Sequence, residues 1–206
     1  ALCSSAYGLA HIVFGNQNRL TQLILQGELE QAVQDAEVGS REQQVYSGLL
    51  EEVQRLRTII RKLLLLSMAD AGQLAPTLVP LNLTNAVQAV CEDLEVLAPA
   101  LRVAVKLDPD AWVRADPALL DQVLQNLVGN AIKYSPSDGA IEIALVRKER
   151  AVELTVQNTG PSIPVDDRER VFDRFYRADR ARSRQVDGVG LGLSLAREIA
   201  LAHLGD

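Results

Sequence analysis

Asn126-Leu-Val-Gly-Asn130-Ala-Ile-Lys133-Tyr134 is the stretch on which the fold turns. It closes a run that opens at Asp116-Pro117, a capping residue followed by proline at the first helical position. That run predicts one helix reaching about Tyr134. On such a helix Asn126, Asn130, Lys133 and Tyr134 share one face by their spacing. Val123, Leu124, Leu127 and Val128 occupy the opposite face and pack inward. Two amides and an ammonium on one face suit a metal-bound triphosphate. Mg²⁺ prefers hard oxygen ligands, which asparagine supplies, and lysine brings charge to phosphates. A solvated polar face accounts for the same pattern, so the stretch by itself leaves both readings open.

Working outward, the second half reads as mixed α and β. Residues 81–83 can start a strand, and Thr84 is a candidate N-cap for a helix to about Leu97. Residues 101–107 alternate as a strand. Residues 140–146 and 152–156 predict a hairpin across Lys148-Glu149-Arg150. Asn158-Thr-Gly160-Pro-Ser-Ile-Pro164 must then turn sharply. Val171-Phe172-Asp-Arg-Phe175-Tyr176-Arg177 sets aromatics beside a loop, with Arg177 within reach of a phosphate. Asp187-Gly188-Val-Gly190-Leu-Gly192-Leu193 puts glycines directly before a last helix, which ends near His203. Backbone N–H groups there can approach an anion at a helix N-terminus. No strand precedes these glycines, so the dinucleotide-binding motif lacks its required context.

The first half contains no proline before Pro76 and reads as two helices with a turn near residues 37–42. In the second helix Val45, Leu49, Val53, Leu56, Ile60 and Leu63 recur every three to four residues. Glu51, Glu52, Arg55, Arg57, Arg61 and Lys62 take the other faces. This narrow seam is of the kind that helical bundles bury, and a lone hairpin cannot cover it. The expected division is a helical hairpin over residues 1–75 and an α/β domain over residues 76–206.

Composition narrows the function classes. A net charge of −6 offers no global attraction for nucleic acid or an anionic membrane, and 4% aromatics leaves little for base stacking. Cys3 and Cys91 are isolated from each other and from histidine, which argues against zinc and fits a reducing compartment. The longest apolar run, residues 63–66, falls far short of the roughly 18 residues of a membrane span. The N-terminus lacks a signal-peptide pattern, and its abrupt helix-like start suggests a piece of a longer protein.

Taken in order, "NLVGNAIKYSP", the turn at Asn158–Pro164, "VFDRFYRAD" and "GVGLGLSLAREIALAH" resemble the N, G1, F and G2 boxes of the sensor histidine kinase catalytic domain. "LEEVQRLRTIIRKLLLLSMADAGQL" is similar to the second dimerisation helix of that family and its exit. The resemblance covers about residues 20–206. It implies a helical hairpin forming a dimeric four-helix bundle, followed by a histidine-kinase/gyrase-type α/β sandwich that binds ATP. Asn126 and Asn130 would hold Mg²⁺ and phosphates. Lys133 would approach the phosphates, and Tyr134 would lie by the adenine. Asn158, Gly160, Ile163 and Phe175 would line the nucleotide site, and Arg177 would approach the terminal phosphate. Gly188, Gly190, Leu191, Gly192 and Leu193 would close the lid, whose residues 178–187 carry Arg180, Arg182 and Arg184. The implied activity is ATP-dependent histidine phosphorylation and transfer to the aspartate of a response regulator receiver domain. The implied location is the cytoplasmic part of a membrane-bound sensor, with the membrane reached only through upstream segments.

The chain departs from the family pattern in three places. Asn158 and Ser162 stand where the G1 box carries aspartate and a second glycine, which predicts weaker ATP binding. The H box is altered. Counting back from Gln26–Glu30 puts Asn16 at the phosphoacceptor position, whereas aligning Leu20-Thr21 puts Phe14 there. His11 is the only histidine of that helix, with Ile12 in place of an acidic neighbour. The family's two final strands would follow Asp206. These departures keep a second reading open, a degenerate kinase that acts as a dimeric binding regulator of a response regulator or another kinase. An anti-sigma-type serine kinase of the same superfamily is a third reading, disfavoured by the long hairpin.

Overall fold

The computed structural model describes residues 25–177 and 188–205. They pack as two compact units, divided between Arg61 and Lys62.

The first unit holds helix α1, residues 25–35, and most of helix α2, Arg41–Asp70. The turn between them works as the sequence suggested. Gly39 takes a left-handed φ of 81°, which glycine adopts without a Cβ penalty. Ser40 caps α2 by accepting a hydrogen bond from the Gln43 amide at 3.1 Å, and Gln43 reaches back to the Gly39 amide at 2.7 Å. Leu29, Ala32 and Val33 of α1 are half-buried, as are Tyr46, Leu50, Val53 and Arg57 of α2. On this inner face Arg57 donates to the Gln26 side chain. The predicted seam is therefore split. Val53 turns inward, whereas Val45, Leu49, Leu56 and Ile60 stay 50–51% exposed, so this apolar row is left uncovered within the unit.

The second unit starts with the end of α2. It continues through β1 (Val79–Asn82), α3 (Leu83–Leu97), β2 (Arg102–Leu107), β3 (Trp112–Ala115) and α4 (Pro117–Tyr134). Then come β4 (Ala140–Arg147), β5 (Val152–Asn158), two short 3₁₀ turns and α5 (Gly192–Ala202). Strands β2, β4 and β5 form one sheet, with β2 parallel and β5 antiparallel to the central β4. The parallel pair requires a crossover, which β3 and α4 supply. Strands β1 and β3 make a separate antiparallel ribbon. The residue pattern accounts for the core. Ile141, Ile143 and Leu145 alternate along β4 and are wholly buried. Leu83, Val87, Cys91 and Leu94 form the buried stripe of α3, and Leu124, Val128 and Ala131 that of α4. Each large aliphatic side chain buried here stabilises the unit by about 1.5–3 kcal/mol.

Three expectations change at this level. The first strand begins at Val79 rather than Leu81 and includes Pro80, which is tolerated because β1 pairs on one side only. The N-cap of α3 is Asn82, whose side chain accepts from the Asn85 amide at 3.1 Å, not Thr84. The Thr84 hydroxyl instead donates to the Asp108 carbonyl at 2.9 Å and accepts from the Ala111 amide at 3.1 Å, so it ties the β2–β3 turn to α3. Strand β3 is an addition to the expected elements: its four residues, Trp112–Ala115, are too few for a period to stand out in the sequence.

The N-terminus of α4 is fixed from several sides. Asp116 Oδ1 accepts from the Ala118 and Leu119 amides, its Oδ2 accepts from the Thr77 amide at 3.0 Å, and its own amide donates to His203 Nε2 at 3.0 Å. His203 Nδ1 lies 2.8 Å from the Ile199 carbonyl, so both ring nitrogens are engaged, as befits a structural histidine.

Candidate functional site

The four sequence-distant segments meet around α4. Asn126, expected on an open polar face, is 6% exposed. It sits under the first turn of α5, where a Cβ added at Gly192 would come within 3.4 Å of Asn126 Oδ1. One helical turn further on, Asn130 is half-buried. Lys133 lies against the glycine run, since a Cβ at Gly188 would fall 2.5 Å from its Nζ. That ammonium is also 5.3 Å from the centre of the Tyr134 ring, a cation–π distance. Tyr134 itself is 47% exposed.

The turn after β5 closes onto the end of the same helix. A Cβ at Gly160 would collide with the Tyr134 carbonyl oxygen at 2.5 Å, so only glycine permits this approach. Asn158 donates its amide N–H to the Thr159 carbonyl at 3.1 Å. That bond orients the side chain so that Oδ1 remains its acceptor end. Ile163, beyond the turn, is 44% exposed.

The aromatic segment docks on the glycine run from the other side. The Phe175 amide donates to the Gly190 carbonyl at 2.9 Å. Gly190 has φ 74°, and a Cβ there would sit 2.7 Å from the Tyr176 carbonyl oxygen. Phe175 itself takes φ 61°, a left-handed conformation uncommon for a bulky residue and a mark of constrained backbone. Tyr176 donates to Asp167 at 2.5 Å and stacks under Arg170, 4.4 Å from its ring centre. Arg177 is half-buried. Leu191 is buried at the start of α5, and Leu193 is half-buried.

Asn126, Asn130, Lys133, Tyr134, Gly160, Phe175, Gly188, Gly190 and Gly192 are thus brought into one neighbourhood. His11 and Asn16 lie outside the described residues, as do Phe14 and the arginines at 180, 182 and 184.

Two side chains that the sequence pattern did not select also enter this neighbourhood. Lys62, near the end of α2, donates from Nζ to Asn126 Oδ1 at 2.8 Å. Burial holds its pKa below the ordinary lysine value. Eight residues on, Asp70 accepts a bidentate pair from Arg174 at 2.5 and 2.6 Å. The hydrogen bonds from Arg174 hold the Asp70 carboxyl below the usual carboxylate range. No spacing rule selects either residue, because each acts on a partner 64 or 104 positions away.

The donor set fits a metal nucleotide. Asn126 Nδ2 is buried without a hydrogen-bond partner, an N–H donor open to an acceptor such as a phosphate oxygen. Among the described residues no cluster of three His, Cys, Asp or Glu is placed to hold a metal. Mg²⁺ prefers hard oxygen ligands, and the Asn126 and Asn130 side-chain oxygens with the ligand's own phosphates would offer them.

Comparison with known proteins agrees with this geometry. Residues 115–206 match the family model for histidine kinase-, DNA gyrase B- and HSP90-like ATPases. The chain is 35% identical over 187 residues to the sensor histidine kinase CusS of Escherichia coli strain K12. That match covers 90% of this chain and 38% of CusS, so the chain spans well under half of such relatives. Among solved structures, the catalytic domain of the histidine kinase ThkA is 30% identical with a TM-score of 0.55, covering 61% of this chain and 81% of that one. The Acinetobacter baumannii histidine kinase AdeS is 25% identical with a TM-score of 0.63, covering 90% and 86%. The chain belongs to the sensor histidine kinase family, with a helical region followed by the family's ATPase domain.

Proposed function

We propose that this chain is the catalytic core of a two-component sensor kinase, with a dimerisation hairpin over residues 1–75 and an ATP-binding domain over residues 76–206. It binds Mg·ATP, moves the γ-phosphoryl group to a histidine, and passes it to the aspartate of a response regulator. The observation that carries this reading is the convergence of the glycine run and the turn at Gly160 on α4, which bears Asn126, Asn130 and Lys133, with the aromatic segment docked on Gly190. Two relatives of the same fold lend support. The kinase ShkA has been solved in complex with AMPPNP, and ThkA in complex with the response regulator TrrA.

In this reading the chain's residues position and neutralise, which is most of what phosphoryl transfer needs. Bound Mg²⁺ supplies charge neutralisation on the phosphate oxygens. Asn126 and Asn130 would hold that ion through their amide oxygens, and Lys133, beside Gly188, would supply positive charge to the phosphates. Asn158, with its N–H turned to Thr159, offers Oδ1 to the adenine amino group, and Tyr134 flanks the base. Gly188, Gly190, Leu191, Gly192 and Leu193 form the lid's hinge and the start of α5. Arg177 serves the terminal phosphate. Ile163 and Phe175 border the base and ribose side.

The chain has two histidines, and both nitrogens of His203 are engaged in the fold. That leaves His11 as the acceptor within this chain, Asn16 at the aligned position being unable to form the N–P bond. In the transfer, the histidine nitrogen forms the new bond to phosphorus as the β–γ bridging P–O bond breaks. ADP departs with the bond's electron pair.

The exposed row Val45, Leu49, Leu56 and Ile60 is the surface through which two hairpins build a homodimeric four-helix bundle. Among the described residues no helix is long and apolar enough to cross a membrane. The relatives are sensor kinases, which supports placing this core on the cytoplasmic side of a longer membrane sensor.

The test is incubation of purified protein with Mg²⁺ and radiolabelled ATP, beside His11→Ala and Asn130→Ala. Acid-labile label that both substitutions abolish is the expected result. No label on any protein, with nucleotide binding and the dimer intact, overturns autophosphorylation and leaves a binding regulator as the account of this core.

A further inference from the structure

Lys62 and Asn126 form a contact that the kinase reading does not use. The lysine belongs to the last turns of α2, downstream of the hairpin's exposed seam. Its ammonium sits on the side-chain oxygen of the most buried asparagine of the candidate site, at 2.8 Å. Among the described residues no carboxylate pairs with Lys62. The amide oxygen is thus its partner, and Asn126 Nδ2 is left with none.

An amide oxygen held by an ammonium is poorly placed to hold a metal ion as well. Asn126 is 6% exposed, so its surroundings screen charge weakly. A divalent cation and an ammonium on the same oxygen would stand only a few ångströms apart and repel strongly there. One must leave when the other arrives. The second tether from the same helix end, Asp70 to Arg174, grips the segment whose Phe175 amide is bonded to Gly190. The final nine residues of α2 therefore hold both the asparagine and the segment beside the glycine run.

We propose that Lys62 is an autoinhibitory latch: its ammonium occupies Asn126 in the nucleotide-free protein and must be expelled before the metal nucleotide binds, so that movement at the end of α2 sets nucleotide affinity. The proposal rests on the reading of Asn126 as a nucleotide-site residue. It makes Lys62 a residue that acts through Asn126 rather than a catalytic one. Helix α2 is continuous from Arg41 to Asp70.

The test compares binding of Mg·AMPPNP and of AMPPNP in EDTA to the whole chain by calorimetry. The proteins are wild type, Lys62→Met, Lys62→Arg, Asp70→Asn and Asn130→Ala. Lys62→Met is expected to tighten Mg·AMPPNP binding by roughly fivefold to tenfold, the scale of one net hydrogen bond. Affinity without metal should change by less than about twofold. Lys62→Arg keeps the cation and should stay near wild type. Asp70→Asn, which leaves Lys62 in place, should not alter the ratio of metal to metal-free affinity. An independent readout without nucleotide is thermal melting. Lys62→Met strips Asn126 of its last partner and should lower the melting temperature by roughly 2–4 °C.

Weaker Mg·AMPPNP binding in Lys62→Met would make Lys62 a phosphate-binding cation and overturn the latch. Unchanged binding, with Asn130→Ala still impaired, would overturn the latch alone. Binding to none of the proteins would overturn the nucleotide reading and the latch together.

Discussion

The sheet unit and the helical hairpin solve the same problem in opposite ways. In the sheet unit, β4 sends Ile141, Ile143 and Leu145 inward at period two, and α3 and α4 cover them until nothing of these side chains is left exposed beyond 1%. In the hairpin, α2 carries as regular an apolar pattern, yet Val45, Leu49, Leu56 and Ile60 keep half their surface. The difference teaches that a clear hydrophobic period reports that a face must be covered, not what covers it. A central strand has neighbours on both edges and helices over its face. A two-helix hairpin has one neighbour and a second apolar row with none.

The sharpest way to break the comparison is to remove volume from the closed core. Ile141→Ala should cost about 2–5 kcal/mol, read as a fall in the urea midpoint of the sheet unit with an unchanged m-value. Ile60→Ala, truncating a half-exposed residue, should cost far less in the monomer. Equal losses would mean that the α2 row is packed as tightly as β4.

The next effect belongs to the hairpin. Leu49→Glu puts a charge in the uncovered row and should weaken self-association by roughly a hundredfold or more, since an unpaired charge at a dry interface costs several kcal/mol. Sedimentation against concentration reads it. Nucleotide affinity should move by less than about twofold. Unchanged association would show that this row is not the dimer surface.

A third prediction returns to the sheet unit. Thr84→Val keeps the shape but leaves the amide of wholly buried Ala111 without its acceptor. A buried donor left unpaired costs about 1–3 kcal/mol. Equilibrium unfolding measures it, and Thr84→Ser, which keeps the hydroxyl, should lose less. An equal loss from both would point to the methyl group's packing instead.

Thr84 also marks where the sequence stopped being legible. Local signals carried the fold far. Asp116-Pro117 capped α4, residues 140–146 and 152–156 read as the β4–β5 hairpin, and the turn before α2 fell near residues 37–42. Each is settled within a few residues by backbone geometry. Thr84 looked like a cap because threonine caps helices, but Asn82 stood two residues earlier with the better side chain, and the hydroxyl found the β2–β3 turn instead. The burial of Asn126 was illegible for a related reason. Helical spacing assigns it a face, and only the docking of α5 through Gly192 decides that this face is covered. Lys62 and Arg174 are the extreme case. Their partners lie 64 and 104 residues away, and no pattern along the chain links them. The family's boxes were readable as boxes, while the helix end that reaches into them was not.

The smallest predicted effect is at the hinge between these two kinds of information, Asp116. Its role as a cap was visible, but its bond to the Thr77 amide was not. That bond comes first among the causes that hold its carboxyl below the ordinary carboxylate value, followed by the Leu119 and Ala118 amides and the nearby His203, with partial burial opposing them. A carboxyl whose folded pKa is depressed binds protons more readily in the unfolded chain. Its contribution is therefore complete above the unfolded value of 3.8 and disappears as pH falls through the lower, folded value. Asp116→Asn retains an amide oxygen for the helix amides but loses the charge and the second oxygen that serves Thr77. At pH 7 the loss should be under about 1 kcal/mol, since asparagine caps nearly as well as aspartate and the charge is partly solvated. The measurement is the difference in unfolding free energy between wild type and Asp116→Asn, taken from pH 7 down through pH 3. Titrating groups remote from residue 116 cancel in it. It should hold constant to about pH 4 and then shrink. A difference that stays flat to the lowest pH would assign the effect to the lost Thr77 bond geometry rather than to charge. A difference that grows on acidification would reverse the sign of the linkage and mean that the carboxyl is held protonated in the fold.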